Sequence, residues 1–80
     1  MIESKHFKEM LIERNISTDL VDVTIAKPDV IEDKPDGTRH YLKRLESYNN
    51  HWLRVIVNIC KRPPIKVTAF FDRRLRRMKK

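Results

Sequence analysis

Two arms of alternating side chains, separated by a pair of prolines, constrain this chain more than any other feature. His51-Trp52-Leu53-Arg54-Val55-Ile56-Val57-Asn58-Ile59-Cys60 is followed by Lys61-Arg62-Pro63-Pro64, and then by Ile65-Lys66-Val67-Thr68-Ala69-Phe70-Phe71. In the first arm Leu53, Val55, Val57 and Ile59 fall on one side, with Trp52, Arg54, Ile56 and Asn58 on the other. In the second, Ile65, Val67, Ala69 and Phe71 share a side, opposed by Lys66, Thr68 and Phe70. Period-two alternation rich in β-branched residues is the signature of strands with one buried face. Prolines cannot donate to a sheet ladder, so Pro63 and Pro64 mark the connection. The pattern predicts a hairpin with one apolar face. Its other face carries Arg54, Lys66 and Thr68 with the rings of Trp52 and Phe70.

The remaining sequence supplies partners for that hairpin. Ser4 is placed to cap a helix over about residues 5–14, where Phe7, Met10, Leu11 and Arg14 recur at helical spacing above Ile2. Asn15 suits the left-handed backbone that ends a helix. Ser17 caps a second helix with Leu20, Val21, Thr24 and Ile25, and Ile16 is placed to staple to Val21. That helix must stop near Lys27, because Pro28 disfavours helix in the residue before it. Val30–Asp33 reads as a short strand, and Lys34-Pro35-Asp36-Gly37 as a turn with the sole glycine where positive φ is wanted. A second strand over 38–47 presents Arg39, Tyr41, Lys43 and Leu45 on one side and His40, Leu42, Arg44 and Glu46 on the other. The pattern does not decide which side is buried. Tyr48-Asn49-Asn50 reads as a turn. The order α-α-β-β-β-β predicts an α+β domain: two N-terminal helices packed on one face of a four-stranded antiparallel sheet, the other face wet.

Size and charge bound the function. Eighty residues make one small domain that buries only roughly 60% of its unfolded surface, with no room for a deep cleft between domains. The net charge is +7, and six of the basic residues lie in 73–80, where there is no acid. Removing those six leaves +1 for residues 1–72, so the expected organisation is a compact domain over 1–72 and a basic tail over 73–80. Such a tail is a solvated, solubilising segment, an arm for an acidic protein partner, or a phosphate-binding arm that releases counterions from nucleic acid. No apolar run is long enough to span a bilayer. The start of the chain has no signal-peptide core, and the single cysteine, Cys60, excludes an internal disulfide. A cytoplasmic protein is expected.

Several segments together resemble a family of small bacterial proteins of unknown function grouped with the BrnT-like and RelE-like toxin ribonucleases. They are Ser4-Lys5-His6 through Glu13-Arg14-Asn15-Ile16, Lys27-Pro28-Asp29-Val30, Arg39-His40-Tyr41, Trp52 to Val57, and Ile65 to Ala69. The likeness covers about residues 4–71. Asn15 stands where such sequences often have glycine, a residue with the same backbone tolerance. The resemblance implies the same α+β fold. It also implies metal-independent RNA cleavage, or an inactive relative of that activity, encoded beside a cognate antitoxin protein.

Cleavage of RNA without metal uses the ribose 2′-OH as nucleophile. It needs a base for that proton, an acid for the leaving oxygen and cations for the growing phosphate charge. His6, Arg14 and Arg54 are the catalytic candidates. Arg39, Tyr41, Lys43, Lys66 and Thr68 are candidate nucleic-acid contacts, with Arg73, Arg74, Arg76, Arg77, Lys79 and Lys80 of the tail. Histidine can act as base or acid in RNA cleavage, and His6 lies two turns before Arg14 on one helix edge. Arg54 offers a fork that matches phosphate oxygens, with Tyr41 and Lys43 placed to join it. Plainer roles stand beside these. His6 can cap its helix, Arg14 can pair with a carboxylate, Arg54 can pair with Glu46 or Asp72, and Trp52 and Phe70 can be core. His6, His40, His51 and Cys60 lack the paired spacing of a zinc site, and there is no glycine-rich phosphate loop. No metal or cofactor is expected. The alternatives to cleavage are a non-enzymatic RNA- or DNA-binding module and a protein-interaction domain with a basic tail.

Overall fold

In the computed structural model, which describes residues 1–77 and the side chains of 1–75, two helices precede a four-stranded antiparallel meander. Helix α1 (Lys5–Glu13) starts where the Ser4 hydroxyl accepts the Phe7 N–H at 3.1 Å, and the chain leaves it through Asn15 at φ 61°. Helix α2 (Thr18–Ala26) starts where Ser17 accepts the Leu20 N–H at 3.2 Å, and it ends at Lys27, before Pro28. Strands β1 (Val30–Asp33), β2 (Thr38–Leu45), β3 (His51–Asn58) and β4 (Ile65–Phe71) follow in spatial order β1-β2-β3-β4. The expected α+β architecture is the one observed. The second strand is shorter than expected, because Glu46–Tyr48 turn into a 3-10 helix before Asn49 and Asn50 reverse the chain at positive φ.

Register decides which residues share a face. Tyr41 stands opposite Val55, and Val55 opposite Ala69, so these residues face the helices and pack with Phe7, Met10, Leu11, Ile16 and Val21. Leu42 stands opposite Arg54, and Arg54 opposite Phe70, so these look the other way. This settles the face of β2: Tyr41 and Leu45 go into the core, and His40, Leu42 and Arg44 lie on the outer face. That outer face is not uniformly wet. Leu42 and Trp52 are each only 1% exposed on it, and a 3-10 turn over Arg73–Arg77 folds back against β3.

Strict alternation in the second arm fails at one point. Ile56 stands opposite Thr68 but Val57 stands opposite Lys66, which leaves Val67 as an extra residue in β4. A bulge of one residue transfers everything on its far side to the opposite face. Lys66 therefore lies on the helix side, 7% exposed, where its ammonium donates to the carboxylates of Glu3 and of Asp22. Burial lowers its pKa, but the hydrogen bonds to Glu3 and Asp22 outweigh that and raise it above the ordinary lysine value. Lys66 is thus an internal anchor and not an outer-face phosphate contact. Val67 is exposed and does not share a side with Ala69 and Phe71. Ile2 also departs from expectation: it makes a parallel bridge to Ile65 at the β4 edge and does not pack under α1. Its N–H donates to the Pro64 carbonyl at 2.8 Å, and its carbonyl accepts the Lys66 N–H at 2.9 Å.

Candidate nucleic-acid interface

The outer face gathers charge around Arg54. The antiparallel register puts Glu32 of β1 beside His40 of β2, and His40 diagonally beside Arg54 of β3. Arg54 Nε donates to Asp72 Oδ2 at 2.8 Å, and Nη1 donates to Glu32 Oε1 at 3.1 Å and to His40 Nδ1 at 2.8 Å. Asp72 lies one residue past β4, held there by its N–H, which donates to the Trp52 carbonyl at 2.9 Å. Arg74 closes over Asp72 with a fork: Nε to Oδ1 at 3.1 Å and Nη2 to Oδ2 at 3.0 Å. Lys34 pairs with Glu32 at 3.0 Å. Together with Ile56, Phe70 and Leu75 these groups line a cleft of ≈ 410 Å³.

The donors and acceptors fix a proton arrangement. A guanidinium only donates, so His40 Nδ1 must be the acceptor and the ring proton sits on Nε2. From Nε2 the chain continues to Thr38 Oγ1 at 3.3 Å, whose hydroxyl donates to Asp36 Oδ1 at 2.6 Å. Every bond points outward from the buried guanidinium to a surface carboxylate. Burial, together with the positive charges of Arg54 and Lys34, pushes the His40 pKa below the usual histidine value. Lys34 and then Arg54 hold the Glu32 carboxyl below its ordinary range. Arg74 first, then Arg54, hold Asp72 down to about 2 despite the cost of burying a carboxylate.

The catalytic trio expected from sequence does not assemble. Arg54 is on the outer face as expected, but it is 7% exposed and its Nε and Nη1 donors are taken by Asp72, Glu32 and His40. Of the two carboxylates that alternation offers it, Asp72 is the partner. His6 is exposed on α1, across the sheet from Arg54. Arg14 reaches the β4 margin, where Nη1 donates to Thr68 Oγ1 at 3.1 Å and to the Ala69 carbonyl at 2.9 Å; it pairs with no carboxylate there. Tyr41 is buried on the helix side and cannot join Arg54. Lys43 also lies on that side and donates to the Lys27 carbonyl at 2.9 Å, closing the end of α2. Arg39 pairs with Asp33 at 2.6 Å on the same side, and the Thr68 hydroxyl donates to Met10 Sδ at 3.1 Å. Trp52 is buried and offers no ring for stacking, while Phe70 is half-buried at the cleft. Arg73 and Arg74 are exposed. The side chains of Arg76 and Arg77, and all of Lys79 and Lys80, lie outside the described residues. Glu32 and His40 are the site residues that sequence reasoning missed. Only the β1–β2–β3 register brings them to Arg54, and alternation within one strand does not give that register.

Among the described residues no group of three or more histidine, cysteine or acidic side chains is placed to hold a metal ion, and no helix is long and apolar enough to cross a membrane. No curated protein and no solved structure matches the chain. A family model does match, over residues 4–71, and its description names no activity and makes no link to toxin ribonucleases. That match takes in both helices and all four strands, and the chain accordingly belongs to the family described as a domain of unknown function, DUF4258.

Proposed function

We propose that this chain binds RNA, with the phosphate backbone lying along the sheet face turned away from the helices. The observation that supports this best is the convergence of Lys34, Arg54 and Arg74, from three separate segments, on one cleft in a chain of net charge +7. Lys34 and Arg74 are 40% and 81% exposed at the side chain and pair with carboxylates. The Lys34–Glu32 pair, exposed on both sides, is worth little, about 0–1 kcal/mol, so a phosphate can compete for Lys34. The half-buried ring of Phe70 gives an unpaired base a surface to stack on, which favours single-stranded RNA over a closed duplex. Fluorescence anisotropy with a mixed-sequence single-stranded RNA tests the reading. Binding is expected to weaken with salt, and Lys34→Ala and Arg74→Ala are each expected to lower the log–log salt slope by about 0.7. A protein that binds no RNA at low salt overturns it.

A second reading adds cleavage, as in the toxin ribonucleases that the sequence resembles, with a cognate antitoxin protein as partner. The observation in its favour is a carboxylate, Glu32, beside a buried cation, Arg54, in the same cleft. Glu32 takes the 2′-OH proton as that oxygen attacks the phosphorus, the bond to the 5′-oxygen breaks with solvent water protonating the leaving oxygen, and Arg54 meets the charge that grows on the phosphate. RNA incubated with the protein in a chelator is expected to yield 2′,3′-cyclic ends, and Glu32→Gln to slow this by about 10²-fold or more. Intact RNA, with or without ribosomes, leaves the non-enzymatic reading alone standing.

A further inference from the structure

His40 occupies a place that tolerates only one of its protonation states. Its Nδ1 is 2.8 Å from Arg54 Nη1, and guanidinium has no lone pair to offer in return. A proton on Nδ1 would set two cations and two hydrogens against each other at that distance. Groups from every neighbouring segment face the ring or its partner. Glu32 comes from β1, Lys34 and Asp36 from the β1–β2 turn, Thr38 from β2 itself, Arg54 from β3, and Asp72 with Arg74 from beyond β4. Glu32 and Asp36 attract a proton to His40; Arg54 and Lys34 repel it. Among the described residues the cleft holds three cations, Lys34, Arg54 and Arg74, and two carboxylates, Glu32 and Asp72. Protonation of His40 adds one positive charge to that set and frees one donor edge of Arg54.

We propose that His40 gates the cleft as a phosphate subsite: neutral His40 occupies the inner edge of Arg54, and protonated His40 gives that edge up, so that imidazolium and guanidinium together hold phosphate oxygens. The proposal rests on the reading that the cleft receives the RNA backbone, and the chemistry it recognises is a phosphate, whether diester or free. Two cations that repel each other when alone are both satisfied by one anion between them. Phosphate binding and proton uptake are therefore linked, each favouring the other. Asp72, which accepts from Nε at 2.8 Å, keeps Arg54 anchored on its other side, so the guanidinium changes partners without leaving the sheet.

The test has two arms on the full chain. In the first, nitrogen-15 spectra of the histidine rings are followed from pH 8 to pH 4.5 without ligand. His40 is expected in the Nε2–H form at high pH, with a midpoint below the ordinary 6.5 and an Arg54 Nε resonance that moves with it. An Nδ1–H form, or an Arg54 signal indifferent to the titration, overturns the gate. In the second arm, inorganic phosphate and single-stranded RNA are titrated at constant ionic strength. Affinity is expected to rise about tenfold as pH falls through the His40 midpoint, the gain of one charge-assisted hydrogen bond. His40→Gln keeps an acceptor for Arg54 but cannot titrate, and should abolish the step; His6→Gln and His51→Gln should leave it. RNA binding whose pH dependence survives His40→Gln overturns the gate while the RNA reading stands. A pH-linked phosphate site that ignores RNA supports the gate and sinks the RNA reading. Absence of a pH-linked gain for either ligand overturns the proposal.

Discussion

Replacing Arg54 removes three hydrogen bonds at once, to Asp72, Glu32 and His40, and leaves the 3% exposed Asp72 with Arg74 as its only cationic partner among the described residues. Breaking one side of a buried ion pair strands the other charge, at a cost of about 3–5 kcal/mol. Arg54→Ala is expected to lower unfolding free energy by about 3 kcal/mol in urea titrations, a large share of what an 80-residue domain has. Lysine cannot reproduce a fork that serves β1, β2 and the segment after β4 together, so Arg54→Lys should recover less than half of the loss. Any loss of RNA binding or cleavage in these variants must therefore be read against their folded fraction. Alternation alone placed Arg54 on the outer face and made it look like a free phosphate clamp. What it cannot show is how many acceptors the neighbouring strands aim at the same guanidinium.

At the scale of elements, local chemistry was legible and register was not. Ser4, Ser17, Asn15 and Pro28 mark the helix ends because capping and φ preference act within a few residues. The Lys34-Pro35-Asp36-Gly37 turn is legible for the same reason. Gly37 has φ 88°, and a Cβ there would lie 2.6 Å from Cys60 Sγ. The sulfur can rotate away, whereas positive φ strains any residue with a Cβ. Gly37→Ala should thus cost about 1 kcal/mol in denaturant unfolding, and adding Cys60→Ala should restore little of it. Full rescue by the second change would show that crowding, not backbone strain, fixes the glycine. The bulge at Val67 left no such local mark. It moves Lys66 to the helix side because Glu3 and Asp22, 63 and 44 residues away, provide carboxylates there. The Glu32–His40–Arg54 cluster was hidden for a related reason, since it draws on β1, β2 and β3 through pairing and no sequence spacing encodes it.

For the whole molecule, three groups on the outer face tie stability to pH in one direction. His40, Glu32 and Asp72 all have pKa values below their ordinary 6.5, 4.5 and 3.8. In each case the unfolded chain binds its proton more readily than the folded one, so stability is present above the ordinary value and is lost as pH falls through the folded value. The first loss should begin just below pH 6.5 and belong to His40; it should vanish in His40→Gln. The second should run from about pH 4.5 downward, through Glu32 and then Asp72. With Asp72 held near 2 against an ordinary 3.8, its share is on the order of 2 kcal/mol. Lys66, raised above 10.5 by Glu3 and Asp22, acts at the other end, where stability should fall as pH rises through its folded value. Urea midpoints measured from pH 2 to pH 11 should trace a plateau from about pH 7 to 10 with a two-step acid limb. Asp72→Asn should lower the plateau and flatten the lower step. An acid limb unchanged in both His40→Gln and Asp72→Asn would mean that the cluster around Arg54 does not set the acid stability of the domain.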